Sequence, residues 1–169
     1  AKKPLCIIFP FNLMSHYLRC LRLADYLQEY FEVRFIATQE YAPFIRDKGY
    51  TGIPYSENGV AVLLKKARAF DFSWINRDDL ERLFFTQIDI IKTHKPDLVV
   101  GDAMLSLRMA GEHTNTPVLN LMNAYVTQYY ADIRPLPPVH KAFKYQQKMS
   151  ENQWKPILRF AEKAVMGKV

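Results

Sequence analysis

The apolar positions of this chain recur in two ways, as short unbroken runs and at helical spacing. Residues 5–9 form an unbroken apolar run, which is typical of a central parallel strand buried on both faces, and residues 33–37 predict a second strand. Between them, Ser15 is the candidate N-cap of a helix, with Arg19 on its solvent-facing side. The buried stripe of that helix consists of Tyr17, Leu18, Leu21, Ala24 and Leu27. Strand, helix and strand within about 35 residues predict a right-handed βαβ unit.

The alternation continues to residue 122. Asp78 and Glu81 resemble a capping box at the start of a long helical stripe over residues 80–91. The remaining predicted elements are a short helix over 41–47, a short strand over 52–54, a strand over 98–100, a helix over 105–113 and a strand over 118–122. Alternating strands and helices predict a Rossmann-like, doubly wound α/β fold, with a mainly parallel sheet covered by helices on both faces.

The last part of the chain departs from this rhythm. Residues 134–138 read Arg-Pro-Leu-Pro-Pro and predict a stiff linker. A helical stripe follows, made of Trp154, Ile157, Leu158, Ala161 and Val165. We therefore divide the chain into a Rossmann-like domain over residues 1–133 and a linker with a basic amphipathic helix over residues 134–169.

Charge supports the same division. Residues 1–133 carry 15 Lys and Arg against 15 Asp and Glu, so the net charge of +6 resides entirely in residues 134–169. Such asymmetry is found where a protein meets a partner or an anionic membrane surface, although a solvated basic helix is the simpler interpretation. The basic segment lacks a helix-turn-helix pattern, which argues against nucleic acid.

Composition narrows the class of protein. With 49% hydrophobic residues, 11 Phe and 10 Tyr, the chain of 169 residues is expected to fold around a core. No stretch approaches the roughly 20 apolar residues of a membrane span. Cys6 and Cys20 lie among apolar neighbours, which predicts reduced, buried thiols and a cytoplasmic location. The histidines lack partners at metal-ligand spacing, so we expect no metal site.

Ligands of a doubly wound sheet bind at the carboxyl ends of its strands, here residues 10–15, 102–105 and 123–125. Residues 1–48 contain no glycine, so the first loop lacks the close backbone approach that NAD or ATP phosphates need. The same rule places Phe11, Asn12, Met14, Met104 and Asn123 around a possible pocket.

A histidine and an aspartate also fall at this edge. His16 opens the first helix, where a neutral imidazole can act as a general base. Asp102 ends a neighbouring strand, where its carboxylate could accept the Nδ1–H of His16 and fix the tautomer. Alternatively, His16 is an ordinary helix-start residue and Asp102 caps the following helix. Spacing alone does not decide between these interpretations.

Several segments, in their order, resemble the amino-terminal domain of the UDP-sugar-dependent glycosyltransferases of GT-B fold. That family includes bacterial macrolide-type enzymes and plant and animal glucosyl- and glucuronosyltransferases. The first match is Ser15-His16 with Leu21, Leu23-Ala24 and Leu27, followed by Glu-Val-Arg-Phe at 32–35. The second is Lys-Pro-Asp-Leu-Val-Val-Gly-Asp at 95–102, followed by Thr-Pro-Val-Leu at 116–119. The resemblance spans most of residues 4–122.

The resemblance implies roles for individual residues. His16 matches the catalytic base of the family and Asp102 its orienting carboxylate. The acceptor-binding residues we expect beside them are placed by the strand-end rule and by no family motif: Phe11, Asn12, Met14, Met104 and Asn123. Ser15 stands where the family usually has glycine, and Arg19 where proline is common. Family members have a second Rossmann-like domain that binds the nucleotide sugar, and its donor motif does not occur here.

The resulting hypothesis is the acceptor-binding half of an inverting glycosyltransferase that moves a sugar from a UDP-sugar to an acceptor hydroxyl. A donor-binding domain would act in cis or in trans, with no metal and no cofactor beyond the co-substrate, and the chain alone would be inactive. Homo-oligomers or peripheral membrane contact are further expectations for the basic helix. The alternative is a non-catalytic Rossmann-like scaffold subunit that recruits a partner through its basic tail.

Overall fold

The computed structural model describes residues 2–55, 76–104, 106–123 and 143–166, of which the side chains of 158 and 161–166 are not described. Five strands are present in these ranges: β1 (Leu5–Pro10), β2 (Glu32–Ala37), β3 (Thr51–Pro54), β4 (Leu98–Asp102) and β5 (Val118–Leu121). Six helices accompany them: α1 (Met14–Leu27), α2 (Ala42–Asp47), α3 (Arg77–His94), α4 (Leu107–Thr114), α5 (Phe143–Gln146) and α6 (Glu151–Met166).

The described strands form one parallel sheet in the order β3-β2-β1-β4-β5. Strand β1 is central, with Cys6 paired to Val33 on one side and to Leu98 on the other. The chain therefore winds outward from β1 in both directions, which confirms the predicted Rossmann-like α/β fold. Pro10 pairs with Asp102, so the carboxyl ends of β1 and β4 meet at the same edge of the sheet.

The core lies on both faces of β1. Cys6 and Ile8 pack in the cluster that contains the buried side of α1, whereas Ile7 and Phe9 pack in the cluster formed with α3 and α4. All four side chains are fully buried, which explains why this strand is apolar at every position. Full burial of an Ile or Phe side chain stabilises a fold by roughly 1.5–3 kcal/mol, so β1 is a main anchor of the core.

Helix α1 starts differently from the prediction. It begins at Met14 with Leu13 at the N-cap position, and no side chain caps it, so the assignment of Ser15 as the cap was wrong. The buried stripe was also partly wrong, because Leu18 is 52% exposed. Cys20 is buried instead of Leu18. Tyr17, Leu21 and Ala24 are buried as predicted.

Helix α3 also has a different N-cap from the predicted one, two residues earlier in the chain. The side chain of Asn76 accepts a hydrogen bond from the backbone N–H of Asp79 at 3.0 Å, which is ordinary N-capping. The predicted capping box of Asp78 and Glu81 is therefore wrong. Asp78 and Asp79 still lie in the first turn, where their negative charges stabilise the helix by facing the positive end of its dipole.

Both cysteines are free and buried, as the sequence predicted. Burial raises the pKa of the Cys6 thiol to about 12. In the described ranges, no helix is both long enough and apolar enough to cross a membrane.

Part of the carboxyl-terminal prediction can be compared with the structure. The predicted helix is present as α6, with Trp154 nearly buried and Ile157 and Phe160 exposed. The predicted linker at 134–138 lies outside the described residues, as do the side chains of Leu158, Ala161 and Val165.

Candidate active site

Asp102 occupies the centre of the edge where β1 and β4 end. It is the last residue of β4, and its side chain is 0% exposed. The next residue, Ala103, has φ 56°, so the chain turns sharply away from the strand there. A buried carboxylate is costly unless its oxygens accept hydrogen bonds, and those of Asp102 find their donors on α1.

His16 supplies one of these contacts. It lies in the first turn of α1, and its Nδ1 is 3.0 Å from Oδ1 of Asp102. The ring also stands edge-on to Phe11, with ring centroids 5.4 Å apart. An ionised carboxylate only accepts hydrogen bonds, so this contact assigns the proton of a neutral ring to Nδ1 and leaves a lone pair on Nε2. The His16 side chain is 14% exposed, in contrast to the fully buried Asp102.

Arg19 supplies the other contacts, one helical turn further along α1. Its Nε donates to Oδ2 of Asp102 at 2.7 Å, and its Nη2 donates to Oδ1. Its Nη1 donates to Oδ1 of Asn123 at 2.8 Å. Arg19 is 40% exposed, in agreement with its predicted place on the solvent-facing side, but the contact of its guanidinium with Asp102 was not predicted. Residues three apart on a helix share a face, so the spacing from His16 could have indicated this position.

The donors from α1 determine the charge of Asp102. Burial by itself would raise its pKa, but the hydrogen bonds from His16 and Arg19 outweigh burial and hold the pKa below its usual value. The thiol of Cys20 lies 3.8 Å from Oδ2. Burial, and then the nearby Asp102 charge, raise the pKa of Cys20, so it remains a thiol beside the ionised carboxylate.

The alternative reading of Asp102 as a helix cap does not hold. Helix α4 begins at Leu107 with Ser106 at its N-cap position. The described hydrogen bonds of the Asp102 side chain go to α1 instead. Asp102 therefore joins the fourth strand to the first helix, as the interpretation with His16 required.

The five candidate acceptor residues take different positions. Asp102 with its partners His16, Arg19 and Cys20 is called the Asp102 cluster below. Phe11 contacts the ring of His16, and Asn123 binds Arg19, so both adjoin this cluster. Met14 is exposed at the first position of α1. Asn12 is 3% exposed and accepts a hydrogen bond from the Thr38 hydroxyl at 3.0 Å, and Met104 packs in the core. Asn12 and Met104 are thus buried behind the surface of this edge. The acceptor role of all five residues stays a prediction.

The described residues contain no group of three or more His, Cys, Asp or Glu side chains placed to hold a metal ion. The donor set around Asp102 is one imidazole, one guanidinium and one thiol. A guanidinium cannot coordinate a cation, since it has donors and no acceptor. The chemistry that this arrangement offers is proton transfer at His16.

Comparison with known proteins gives matches in structure alone. No protein-family model matches the sequence, and a search of curated proteins finds no match. The spinosyn forosaminyltransferase SpnP is 20% identical, with a match covering 69% of this chain and 30% of that one, at a TM-score of 0.51. The glycotransferase of kitacinnamycin is 14% identical, and the match covers 88% of this chain and 34% of that one, at a TM-score of 0.57. UGT73P12 of Glycyrrhiza uralensis, solved with glycyrrhetinic acid 3-O-monoglucuronide, is 16% identical. The match covers 74% of this chain and 29% of that one, at a TM-score of 0.52.

The chain therefore spans about a third of the length of the solved structures it matches. At these identities the likeness is one of fold. These three neighbours are GT-B glycosyltransferases, so the resemblance seen in the sequence motifs is confirmed at the level of the fold. This chain has the Rossmann-like α/β fold of one half of a GT-B glycosyltransferase.

Proposed function

We propose that this chain is the acceptor-binding half of an inverting glycosyltransferase, which transfers a sugar from a UDP-sugar to an acceptor hydroxyl. The observation that carries the proposal is the contact of 3.0 Å between Nδ1 of His16 and Oδ1 of Asp102. It occurs at the carboxyl edge of the sheet, where ligands of such folds bind. The fold likeness to glycosyltransferases supports the same conclusion.

In the proposed reaction, Nε2 of His16 removes the proton of the acceptor hydroxyl. The acceptor oxygen then attacks the anomeric carbon, and the bond between that carbon and the UDP oxygen breaks in the same step. UDP leaves with the electron pair of the broken bond, the new glycosidic bond has inverted configuration, and the proton remains on His16. Asp102 stabilises the resulting imidazolium through its Nδ1–H contact.

The acceptor would lie against the exposed parts of this edge. Phe11 offers an aromatic ring next to His16, and Met14 offers an exposed apolar side chain. Asn123 adds a polar group at the end of β5. Asn12 and Met104 would support the pocket from beneath. An acceptor with an apolar body and a hydroxyl suits this combination.

Donor binding is assigned to a second domain, present in cis or in trans. The segment that joins β1 to α1 has no glycine, so it offers no nest of backbone N–H groups for a diphosphate. The matched glycosyltransferases are about three times as long as the aligned part, which leaves room for such a domain.

The test is a transfer assay on the protein with its donor-binding half, using a panel of UDP-sugars with hydroxylated aromatics and lipids. We expect His16→Ala to lower transfer by about 10²–10⁴-fold, the usual contribution of a general base. His113→Ala is the matched control, because His113 is exposed on α4, away from Asp102. A folded His16→Ala protein with nearly full activity would overturn the proposal.

A further inference from the structure

The carboxylate of Asp102 is shared between two side chains of α1. Oδ1 faces both Nδ1 of His16, at 3.0 Å, and Nη2 of Arg19. Oδ2 accepts from Nε of Arg19 at 2.7 Å, so the guanidinium holds both oxygens in a two-pronged contact. Such bidentate pairs fix orientation as well as charge. Arg19 is also a site where the sequence departs from the resemblance described above.

We propose that Arg19 is a positioning residue, whose guanidinium fixes the Asp102 carboxylate so that Oδ1 points at His16 and selects the tautomer with the proton on Nδ1. The inference rests on the proposed function, because that tautomer is the one that leaves Nε2 able to accept a proton. Arg19 acts through Asp102 and need not touch the acceptor.

The carboxylate needs such a restraint. The terminal torsion of an Asp side chain is broad and roughly two-fold, so it is not held by its own rotamer preference. Without Arg19, the described partners of the carboxylate would be His16 and the thiol of Cys20, which is a weak donor at 3.8 Å. A rotated carboxylate would no longer aim an oxygen at Nδ1.

Arg19 itself also offers a competing contact to the ring of His16. Nη2 of Arg19 lies 3.2 Å from Nδ1 of His16. If the ring proton were on Nε2, this N–H of Arg19 could donate to Nδ1, and Nε2 would have no lone pair with which to accept a proton. That arrangement would place the lone pairs of Nδ1 and Oδ1 against each other at 3.0 Å. A fixed and ionised Oδ1 therefore favours the Nδ1–H tautomer.

Asn123 holds the guanidinium in turn. Its Oδ1 accepts from Nη1 of Arg19 at 2.8 Å, so the guanidinium is bound on the Asp102 side and on the Asn123 side. Asn123 is the second residue after the end of β5. The order of restraint runs from Asn123 to Arg19, then to Asp102, and finally to the ring of His16.

The test measures the tautomer of His16 by ¹⁵N NMR on the chain of 169 residues, which requires no transferase activity. In the unaltered chain we expect the Nδ1–H tautomer to predominate. Arg19→Gln should shift His16 towards a mixture of tautomers. Arg19→Lys should retain only part of the preference for the Nδ1–H tautomer, because an ammonium supplies charge without the bidentate contact. Arg22→Gln is the matched control, since Arg22 lies on the same helix and pairs with Asp25 and Tyr26.

A folded Arg19→Gln chain with an unchanged tautomer would overturn the proposal. Should that variant fail to fold, Asn123→Ala and Arg19→Lys decide the matter, because each leaves Asp102 with a cationic partner. We expect both to move the tautomer ratio in the same direction as Arg19→Gln, by a smaller amount. If neither variant moves it, Arg19 has no positioning role.

Kinetics of the complete enzyme separate this inference from the proposed function. Arg19→Gln should lower kcat by about 10²-fold, as misplacement of a reacting group commonly does, with little change in the KM for the acceptor. A tautomer shift without any transferase activity in the unaltered protein would refute the proposed function and leave the positioning role intact. Equal loss in kcat and rise in KM would contradict positioning and indicate general damage to the site.

Discussion

The backbone N–H of Phe11 donates to the backbone carbonyl of Asp102 at 3.0 Å. This hydrogen bond continues the pairing of β1 with β4 by one residue beyond the end of β1. It therefore fixes the start of the segment that leads to α1 directly beside the buried carboxylate. The position of His16 follows from this bond, because only a few residues separate Phe11 from the first turn of α1.

Donor binding by the chain alone is the first prediction. We expect isothermal titration with UDP-sugars to detect no binding in the micromolar range, because the glycine-free segment after β1 lacks a diphosphate nest. An acceptor-like hydroxylated aromatic serves as the comparison ligand. Micromolar binding of a UDP-sugar by these 169 residues would refute the assignment as the acceptor half.

The charge of Asp102 predicts how stability depends on pH. Its pKa in the folded chain is below the value of about 3.9 for an unfolded chain, so the folded state binds fewer protons there. The charged form therefore stabilises the fold above about pH 4, and this contribution is lost as the pH falls through the lower, folded-state pKa. The groups that face the carboxylate are His16, Arg19 and Cys20.

Urea denaturation of Asp102→Asn measures this contribution. We expect the variant to be less stable than the unaltered chain at neutral pH by about 1–3 kcal/mol, the usual cost of weakening buried hydrogen bonds to a charged group. The difference should shrink on acidification below about pH 4. Asp89→Asn, an exposed change on α3, is the control. A difference that grows on acidification would contradict the assigned charge of Asp102.

Gly101 allows a steric test of the site. A Cβ at this position would lie 2.6 Å from Cδ2 of Leu107 and 2.8 Å from Oδ1 of Asn120. We expect Gly101→Ala to lower the free energy of unfolding by about 1–3 kcal/mol, as overpacking in a core does. Gly52→Ala is the milder comparison, because its Cβ would meet only Ala37, at 3.3 Å. Equal unfolding free energies for the two variants would disprove the crowding at β4.

Thiol reactivity tests the burial of the two cysteines. Cys6 and Cys20 are buried, and their raised pKa values keep them as thiols, which are poor nucleophiles. We expect iodoacetamide at neutral pH to leave both unmodified in the folded chain and to modify both in urea, as mass spectrometry would detect. Rapid modification of Cys20 without denaturant would show that the Asp102 cluster is open to solvent.

The fold was largely predictable because its central strand, β1, is apolar at every position and buried on both faces. Runs such as residues 5–9 have no polar position and so indicate a central parallel strand, whose neighbours then follow from chain order. Helix starts were less predictable. The first turn of α1 lacks a side-chain cap, and its entry is set by the backbone contacts of Leu13. A search for capping residues therefore selected Ser15.

The pairing of His16 with Asp102 was predictable to the extent that it depends on strand ends, which meet at one edge of any parallel sheet. Arg19 was missed for a physical reason. Helical periodicity distinguishes apolar from polar sides, and a charged residue on the polar side is normally solvated. Its actual partner, Asp102, is 83 residues away, and no local pattern reports a contact over that distance.

That separation has a consequence for biosynthesis. Residues of α1 leave the ribosome before Asp102 exists, and at typical rates of about 5–20 residues per second the intervening 83 residues take about 4–17 s to make. During this interval a nascent chain carries an imidazole and a guanidinium without their carboxylate. The contact between Arg19 and Asn123 spans 104 residues and closes later still. The cluster around Asp102 therefore forms only once nearly the whole sheet has been synthesised, and an unfinished chain lacks the contact between His16 and Asp102.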